Sequence, residues 1–202
     1  MPRHPDPDLE DRILTASHAL WKRGGEKSLT MRAVARAAGT NTPAVYRRFR
    51  HRQDLVQALM RRTQDEIREH LQTGKSIEEM AEAYVEYALQ HPHEYDLFYT
   101  HVRVLSPRKG SGRPRPIRES RPNVGFVEGQ LAKRLGGSPT DHTRLALALW
   151  ATVHGTTMML LAQAIPEGHE GELRQACRAA VKTLILGAAK FSAKSNRKRL
   201  RP

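Results

Sequence analysis

The run GGEKSLTMRAVARAAGTNTPAVYRRFRHRQDLVQALM, residues 24–60, constrains the fold more than any other stretch, because caps, a turn glycine and apolar residues fall in it at matching intervals. Thr30 is a good N-cap, and Met31, Val34, Ala35 and Ala38 sit at i, i+3, i+4 and i+7, so one face of a single helix is apolar. Gly39 ends that helix, because glycine tolerates a left-handed residue best. Thr42 and Pro43 restart the chain: a hydroxyl cap, then a proline at the first helical position, where its missing N–H costs nothing. Val45 and Phe49 share the inner side of this second, short helix. That leaves Asn41, Thr42, Pro43, Ala44, Tyr46, Arg47 and Arg48 at its N-terminal end or outer surface. The spacing predicts a helix-turn-helix, and an outward face of arginines, a tyrosine and a small amide suits a phosphate-lined groove. The alternative is a solvated hairpin of incidental charge; the agreement of caps, turn and face weighs against it.

The remaining pattern is helical throughout, with no strand period and no internal repeat. Asp8 caps a first helix with Ile13, Leu14, Ala16, Leu20 and Trp21 inward, ended by Gly24-Gly25. A long helix follows from about Arg52 to Leu71, then one over Ile77 to Ala88 stopped by His91-Pro92. The next covers Tyr95 to Leu105. SPRKGSGRPRP interrupts as a mobile loop, and a helix over Pro122 to Leu135 ends at Gly136-Gly137. Ser138-Pro139-Thr140-Asp141 opens a long helix, and a last one occupies Gly171 to Phe191. The expectation is an all-α protein of about nine helices. Its domains are a three-helix helix-turn-helix unit over residues 1–52, a larger helical domain over 53–191, and a basic, disordered tail over 192–202.

Residues 9–60 resemble the DNA-binding domain of TetR-family transcriptional regulators. The resemblance is carried by Leu29-Thr30, Val34-Ala35, Ala38-Gly39, Tyr46 with Phe49, Arg52 and Leu55. It implies that Thr30, Tyr46, Arg48 and Arg52 contact phosphates, with Arg32 on the same surface, and that the first turn of the second helix of the motif reads bases. Three departures stand out. Asn41 occupies a common serine position, Arg48 a histidine position, and His51-Arg52 replace a frequent Ser-Lys pair. Positive charge is kept or added, so backbone binding survives while operator sequence is open to change. Losing the serine cap weakens the start of the following helix, although Asp54 complements its dipole.

Composition agrees with a polyanion partner without selecting DNA. The chain has 34 Lys and Arg against 21 Asp and Glu, a formal charge of +13. Such a chain meets phosphate of any kind favourably. Part of the excess lies in Lys190, Lys194, Arg197, Lys198, Arg199 and Arg201, read as a solvated tail. Cys177 is the only cysteine, which excludes disulfide frameworks and multi-cysteine zinc sites and fits a reducing cytoplasm. MPRHPDPDLEDR lacks the basic-then-apolar order of an export signal. Leu145 to Ile165 carries no Asp, Glu, Lys or Arg and is long enough to span a bilayer. Its Thr152, His154, Thr156, Thr157 and Gln163 favour burial within a helical domain or dimer, so no membrane association is expected.

No catalytic constellation is present: no GxSxG elbow, phosphate loop, dinucleotide fingerprint or HExxH. No cofactor or metal is expected, and His91, His93 and His101 read as linker residues. Trp150, His154 and Gly155 form a W-x-x-x-H-G spacing resembling the C-terminal domain named for those letters in one branch of TetR-like regulators. His154 is either a ligand or pH-responsive group or a core histidine with a neighbouring partner, the second being more common. By resemblance, an effector pocket is expected among Tyr84, Tyr87, Tyr95, Phe98, Tyr99, Val102, Trp150, His154 and Met158, for a small, mainly apolar molecule. The resemblance further implies a homodimer through helices at about 139–165 and 171–191, double-stranded DNA as partner, and repression.

Overall fold

A computed structural model describes residues 6–100 and 116–199. Ten α-helices and one 3₁₀ turn account for nearly all of them, and no strand occurs among the described residues. In order they are α1 (Leu9–Ser28), α2 (Met31–Ala37), α3 (Thr42–Arg48), α4 (Arg52–Gln72), α5 (Ile77–Gln90), α6 (Pro92–Thr100), α7 (Ile117–Ser120), α8 (Pro122–Leu135), the 3₁₀ turn Pro139–His142, α9 (Thr143–Leu161) and α10 (Glu170–Arg199).

The chain divides into two compact units, one through Asp65 resumed by His91 to Thr100, the other Glu66–Gln90 resumed from Pro116 onward. The division therefore falls within α4 rather than after residue 52, and α6 joins the first unit. That unit closes on Ile13, Trp21, Leu29, Val34, Val45, Phe49, Leu55, Leu59, Leu97 and Phe98, all buried in one cluster. Burial of several large apolar side chains, each contributing on the order of 2 kcal/mol, is what holds helices as short as α2 and α3.

Local chemistry explains the boundaries. Inside α1 the helix is broken at Gly24 and Gly25, as the glycine pair predicts, and Gly25 takes a φ of 57° that favours glycine. Asp8 occupies the N-cap position but makes no side-chain cap. Instead its N–H donates to Asp6 Oδ1 at 3.1 Å, so the expected cap is replaced by a turn one residue pair earlier. His91 and Pro92 end α5 and open α6 at once: His91 O accepts the N–H of Tyr95 at 3.0 Å, and proline fits the first helical position. This helix thus begins before Tyr95 and is described to Thr100; Leu105 lies outside the described residues, as does most of the loop at 106–118, whose end forms the short α7.

In the second unit α9 packs on α5, α8 and α10. Ala146, Leu149, Val153 and Thr157 turn inward, and the hydroxyls of Thr152, Thr156 and Thr157 donate to the carbonyls of Ala148, Thr152 and Val153. The three threonine hydroxyls of this charge-free stretch are satisfied within the helix itself. Among the described residues no helix is long and apolar enough to cross a membrane. Cys177, Val181 and Ile185 of α10 are buried on one side of that helix, so the cysteine is a packing residue. Ser138 N–H donates to Asp141 Oδ2 at 2.8 Å, the acid-at-third-position cap expected before α9, although the chain enters through a 3₁₀ turn. The disordered tail expected from residue 192 is instead helical to Arg199. No proline or glycine follows Gly187 before that point, and Ala, Lys and Arg all propagate a helix.

Candidate nucleic-acid interface

Helix α2 starts where Thr30 Oγ1 accepts the N–H of Ala33 at 3.1 Å. It ends in a tight turn in which the N–H of Thr40 reaches Ala35 O at 2.9 Å, with Gly39 at φ 64°. A Cβ at Gly39 would meet no atom within 4 Å, so backbone conformation rather than crowding selects glycine there. Asn41 then caps α3, its Oδ1 accepting the N–H of Ala44 at 2.9 Å. The cap is therefore Asn41, with Thr42 and Pro43 inside the first turn, one residue earlier than the sequence reading set it. Asparagine is as strong a cap as serine, so that departure from the family's usual residue leaves the helix start intact.

Through α3 the inner side is Val45, fully buried, and Phe49 just beyond the helix, which is 5% exposed. Ala44 is also buried, at 4% exposure, which removes its side chain from the outer face where sequence reasoning placed it. Tyr46 stands out at 47% exposure, the largest hydrophobic surface in this region. Asn41, Pro43, Arg47 and Arg48 are exposed beside it, Thr42 is half-buried, and Thr30 and Arg32 are exposed on α2. The helix-turn-helix thus presents a surface of cations, an aromatic and short polar groups over a closed apolar core.

Two arginines carry contacts that motif spacing does not reveal. Arg52 donates through Nε to Leu29 O at 3.2 Å and through Nη2 to Glu26 O at 3.4 Å, with Glu26 Oε1 at 3.1 Å. It braces the junction of α1 and α2. Arg48 donates through Nη2 to Asp6 O at 3.0 Å. Asp6 in turn receives Arg12 Nη2 on Oδ2 at 2.7 Å, and that hydrogen bond leads the influences that hold its carboxyl below the usual carboxylate range. Asp6, Arg12 and Glu26 were not singled out from sequence: Asp6 meets Arg48 across 42 positions, Glu26 meets Arg52 across 26, and the Asp6–Arg12 pair, six apart, matches no helical spacing. Asp54, expected only to complement a dipole, accepts the N–H of His51 at 3.0 Å and so caps α4.

The candidate effector residues separate. Tyr84, Tyr87, Trp150, His154 and Met158 belong to the second unit, while Tyr95, Phe98 and Tyr99 belong to the first. Tyr95 and Phe98 are buried there, with ring centroids 4.6 Å apart for Tyr95 and Tyr99 and 5.1 Å for Phe98 and Tyr99. Val102 lies outside the described residues. In the second unit Trp150 Nε1 donates to Tyr84 Oη at 3.3 Å, and the His154 ring lies 6.3 Å from that of Trp150. Burial lowers the His154 pKa below the usual imidazole value. Tyr87 turns to Glu66, its Oη 3.3 Å from Oε2, and to the edge of His70. Met158 is 43% exposed. Among the described residues no group of His, Cys, Asp and Glu is arranged to hold a metal ion.

Residues 13–59 match the family model of bacterial regulatory proteins of the tetR family, and residues 77–184 match the tetracyclin repressor-like C-terminal domain, over more than half of the chain. The chain belongs to the TetR family. Its family is one of DNA-binding transcriptional regulators, not enzymes. Several solved structures share the fold. A protein of unknown function from Rhodococcus sp. RHA1 is 23% identical, with a TM-score of 0.64 over 94% of this chain and 99% of its own. A protein assigned as a TetR-family transcriptional regulator from Rhodococcus sp. is 19% identical, with a TM-score of 0.59 over 89% and 100%. One assigned as a transcriptional regulator from Pseudomonas aeruginosa PAO1 is 19% identical, with a TM-score of 0.55 over 93% and 96%. At these identities the likeness is one of fold. No curated protein matches.

Proposed function

We propose that this TetR-family protein is a cytoplasmic repressor that binds a near-palindromic operator as a homodimer and is released by a small, mainly apolar effector. The observation that carries the reading is the outer face of α3, where exposed Tyr46, Arg47 and Arg48 stand over buried Val45 and Phe49. In this reading Asn41, Thr42 and Pro43 approach base edges at the N-terminal end of α3. Thr30, Arg32, Tyr46, Arg47 and Arg48 fix its register on phosphates. Arg52 contributes positive charge while bracing the motif.

The dimer is assigned to α9 and α10, whose Met158, Met159 and Leu186 are exposed large hydrophobics. Methionine is enriched at protein interfaces relative to the rest of a surface, which favours this face as the seam. Trp150, Tyr84 and His154 supply the effector side, an aromatic group with hydroxyl and imidazole polar points and no formal charge at neutral pH. Effector and operator then oppose each other by linkage.

The test selects bound duplexes from a random library and measures affinity by fluorescence anisotropy against a scrambled duplex. An inverted repeat bound at least about a thousandfold tighter than the scramble is expected. Tyr46→Ala should weaken binding to the selected duplex without changing sedimentation of the dimer. Equal affinity for selected and scrambled duplex overturns the reading in favour of sequence-independent nucleic-acid binding.

A further inference from the structure

The start of α1 is tied to the recognition surface through one residue. Arg48, on the exposed face of α3, donates through Nη2 to the backbone carbonyl of Asp6 at 3.0 Å, across 42 positions of sequence. The same carbonyl accepts the N–H of Leu9 at 3.4 Å. Asp6 has little freedom to turn away. Its Oδ1 accepts the N–H of Asp8 at 3.1 Å, an aspartate folding back on the backbone two residues on, and its Oδ2 receives Arg12 Nη2 at 2.7 Å.

Both side chains of the Asp6–Arg12 pair are nearly half exposed, and an ion pair in that setting contributes little to stability. What it fixes is direction: with the carboxylate clamped at both oxygens, the carbonyl stays aimed at Arg48. A free arginine on a helix surface samples many rotamers and loses them when it meets a phosphate. Arg48 gives one N–H to Asp6, and the rest of its guanidinium fork is left for a ligand. Asp6 also sets a carboxylate beside that cation, where it would repel a phosphate. Arg12 cancels the charge at contact distance.

We infer that Asp6 and Arg12 are positioning residues for DNA binding: they hold the Asp6 carbonyl so that it presets the guanidinium of Arg48 for a phosphate. This role depends on α3 being the DNA-facing helix proposed above. Neither residue needs to touch DNA. The sign of the effect separates a clamp from a plain electrostatic contribution. As a bare charge Asp6 repels phosphate, and its removal strengthens binding; as a clamp, its removal weakens binding.

The test titrates the full chain with the selected duplex and a scrambled duplex by fluorescence anisotropy over a range of salt. Asp6→Ala should weaken both by the same factor, about fivefold, the effect of leaving one arginine side chain to be ordered on binding. Asp6→Asn keeps an acceptor for the Asp8 N–H and should lose less. Arg12→Gln should weaken binding about fivefold with the salt slope unchanged, since a phosphate contact of its own would lower the slope by about 0.9 per bound protomer. Arg12→Lys keeps a cation for Oδ2 and should recover most of the loss. In an Arg48→Ala background neither Asp6→Ala nor Arg12→Gln should reduce affinity further, because the clamp acts only through that arginine. A merely structural loss would persist there. Tighter or unchanged binding in Asp6→Ala overturns the clamp, as does a lowered slope in Arg12→Gln or full additivity with Arg48→Ala. Failure of the unmodified protein to prefer the selected duplex is a different result, and it removes the underlying assignment of α3 instead.

Discussion

At Asn41 the side-chain carbonyl shares the Ala44 N–H with that residue's own backbone carbonyl, at 2.9 and 3.0 Å, and a helix of seven residues has little else to hold that end. Asn41→Ala should cost about 1 kcal/mol and Asn41→Ser nearly nothing, read as shifts of the urea midpoint at constant slope. Arg52 poses the opposite case, a residue whose resemblance implies phosphate contact but whose guanidinium is turned onto Leu29 O and Glu26. Arg52→Gln is therefore expected to lower stability by about 1 kcal/mol and to move the salt slope less than Arg48→Ala does. His154 gives a pH signature. Burial lowers its pKa in the folded chain, so the unfolded chain binds the proton first as pH falls through about 6.5. Stability should decline from there downward and level off only below the folded value. His154→Gln should flatten that decline in urea titrations between pH 8 and pH 5, and an unaltered pH profile would place the histidine in ordinary solvent.

Elements are joined by contacts that local pattern does not encode. Trp21 of α1 donates from Nε1 to His93 O at 2.6 Å, at the first turn of α6, while Leu97 and Phe98 fill the same core as Ile13 and Leu59. Trp21→Phe keeps the apolar body and removes the donor, so a loss of about 1 kcal/mol is expected, with faster amide exchange in α6 than in α2 as the regional readout. The cap at Thr30, the turn at Gly39, the two inward residues of α3 and the bounds of α8 were legible in sequence, because each is decided within a few residues by hydrogen-bond geometry or helical period. The docking of α6 was not. A cluster of aromatics announces that a face is buried and leaves open which helix buries it, so Tyr95, Phe98 and Tyr99 read equally as pocket or as core. Asp6 with Arg48 is the same problem in polar form: charge complementarity exists between many pairs, and only the folded chain selects one. The continuation of the last helix beyond Phe191 escaped for a different reason: a run of cations resembles a solvated tail in composition, while the stretch holds no proline or glycine and its Ala, Lys and Arg propagate a helix.

For the whole molecule, a charge of +13 sets a background affinity for any duplex, and in the proposed reading specificity comes from presenting two recognition helices at once. Binding one half-site is weak, and the second becomes effectively intramolecular only if the protomers are joined. The surface expected to join them is on α9 and α10, where Leu186 is 48%, Met158 43% and Met159 41% exposed. Leu186→Glu adds a charge to that surface without entering the core of either unit, so far-UV circular dichroism at low temperature should match the unmodified chain. Sedimentation should shift toward the monomer. Operator affinity should then drop by about a hundredfold or more, while affinity for a scrambled duplex changes by only a few-fold, because the nonspecific term belongs to each protomer's phosphates. Tyr46→Ala predicts the complementary pattern, an intact dimer with a lost preference. Finding a dimer that survives Leu186→Glu with unchanged operator binding would move the interface to another face of the second unit and leave the α3 surface as the sole source of specificity.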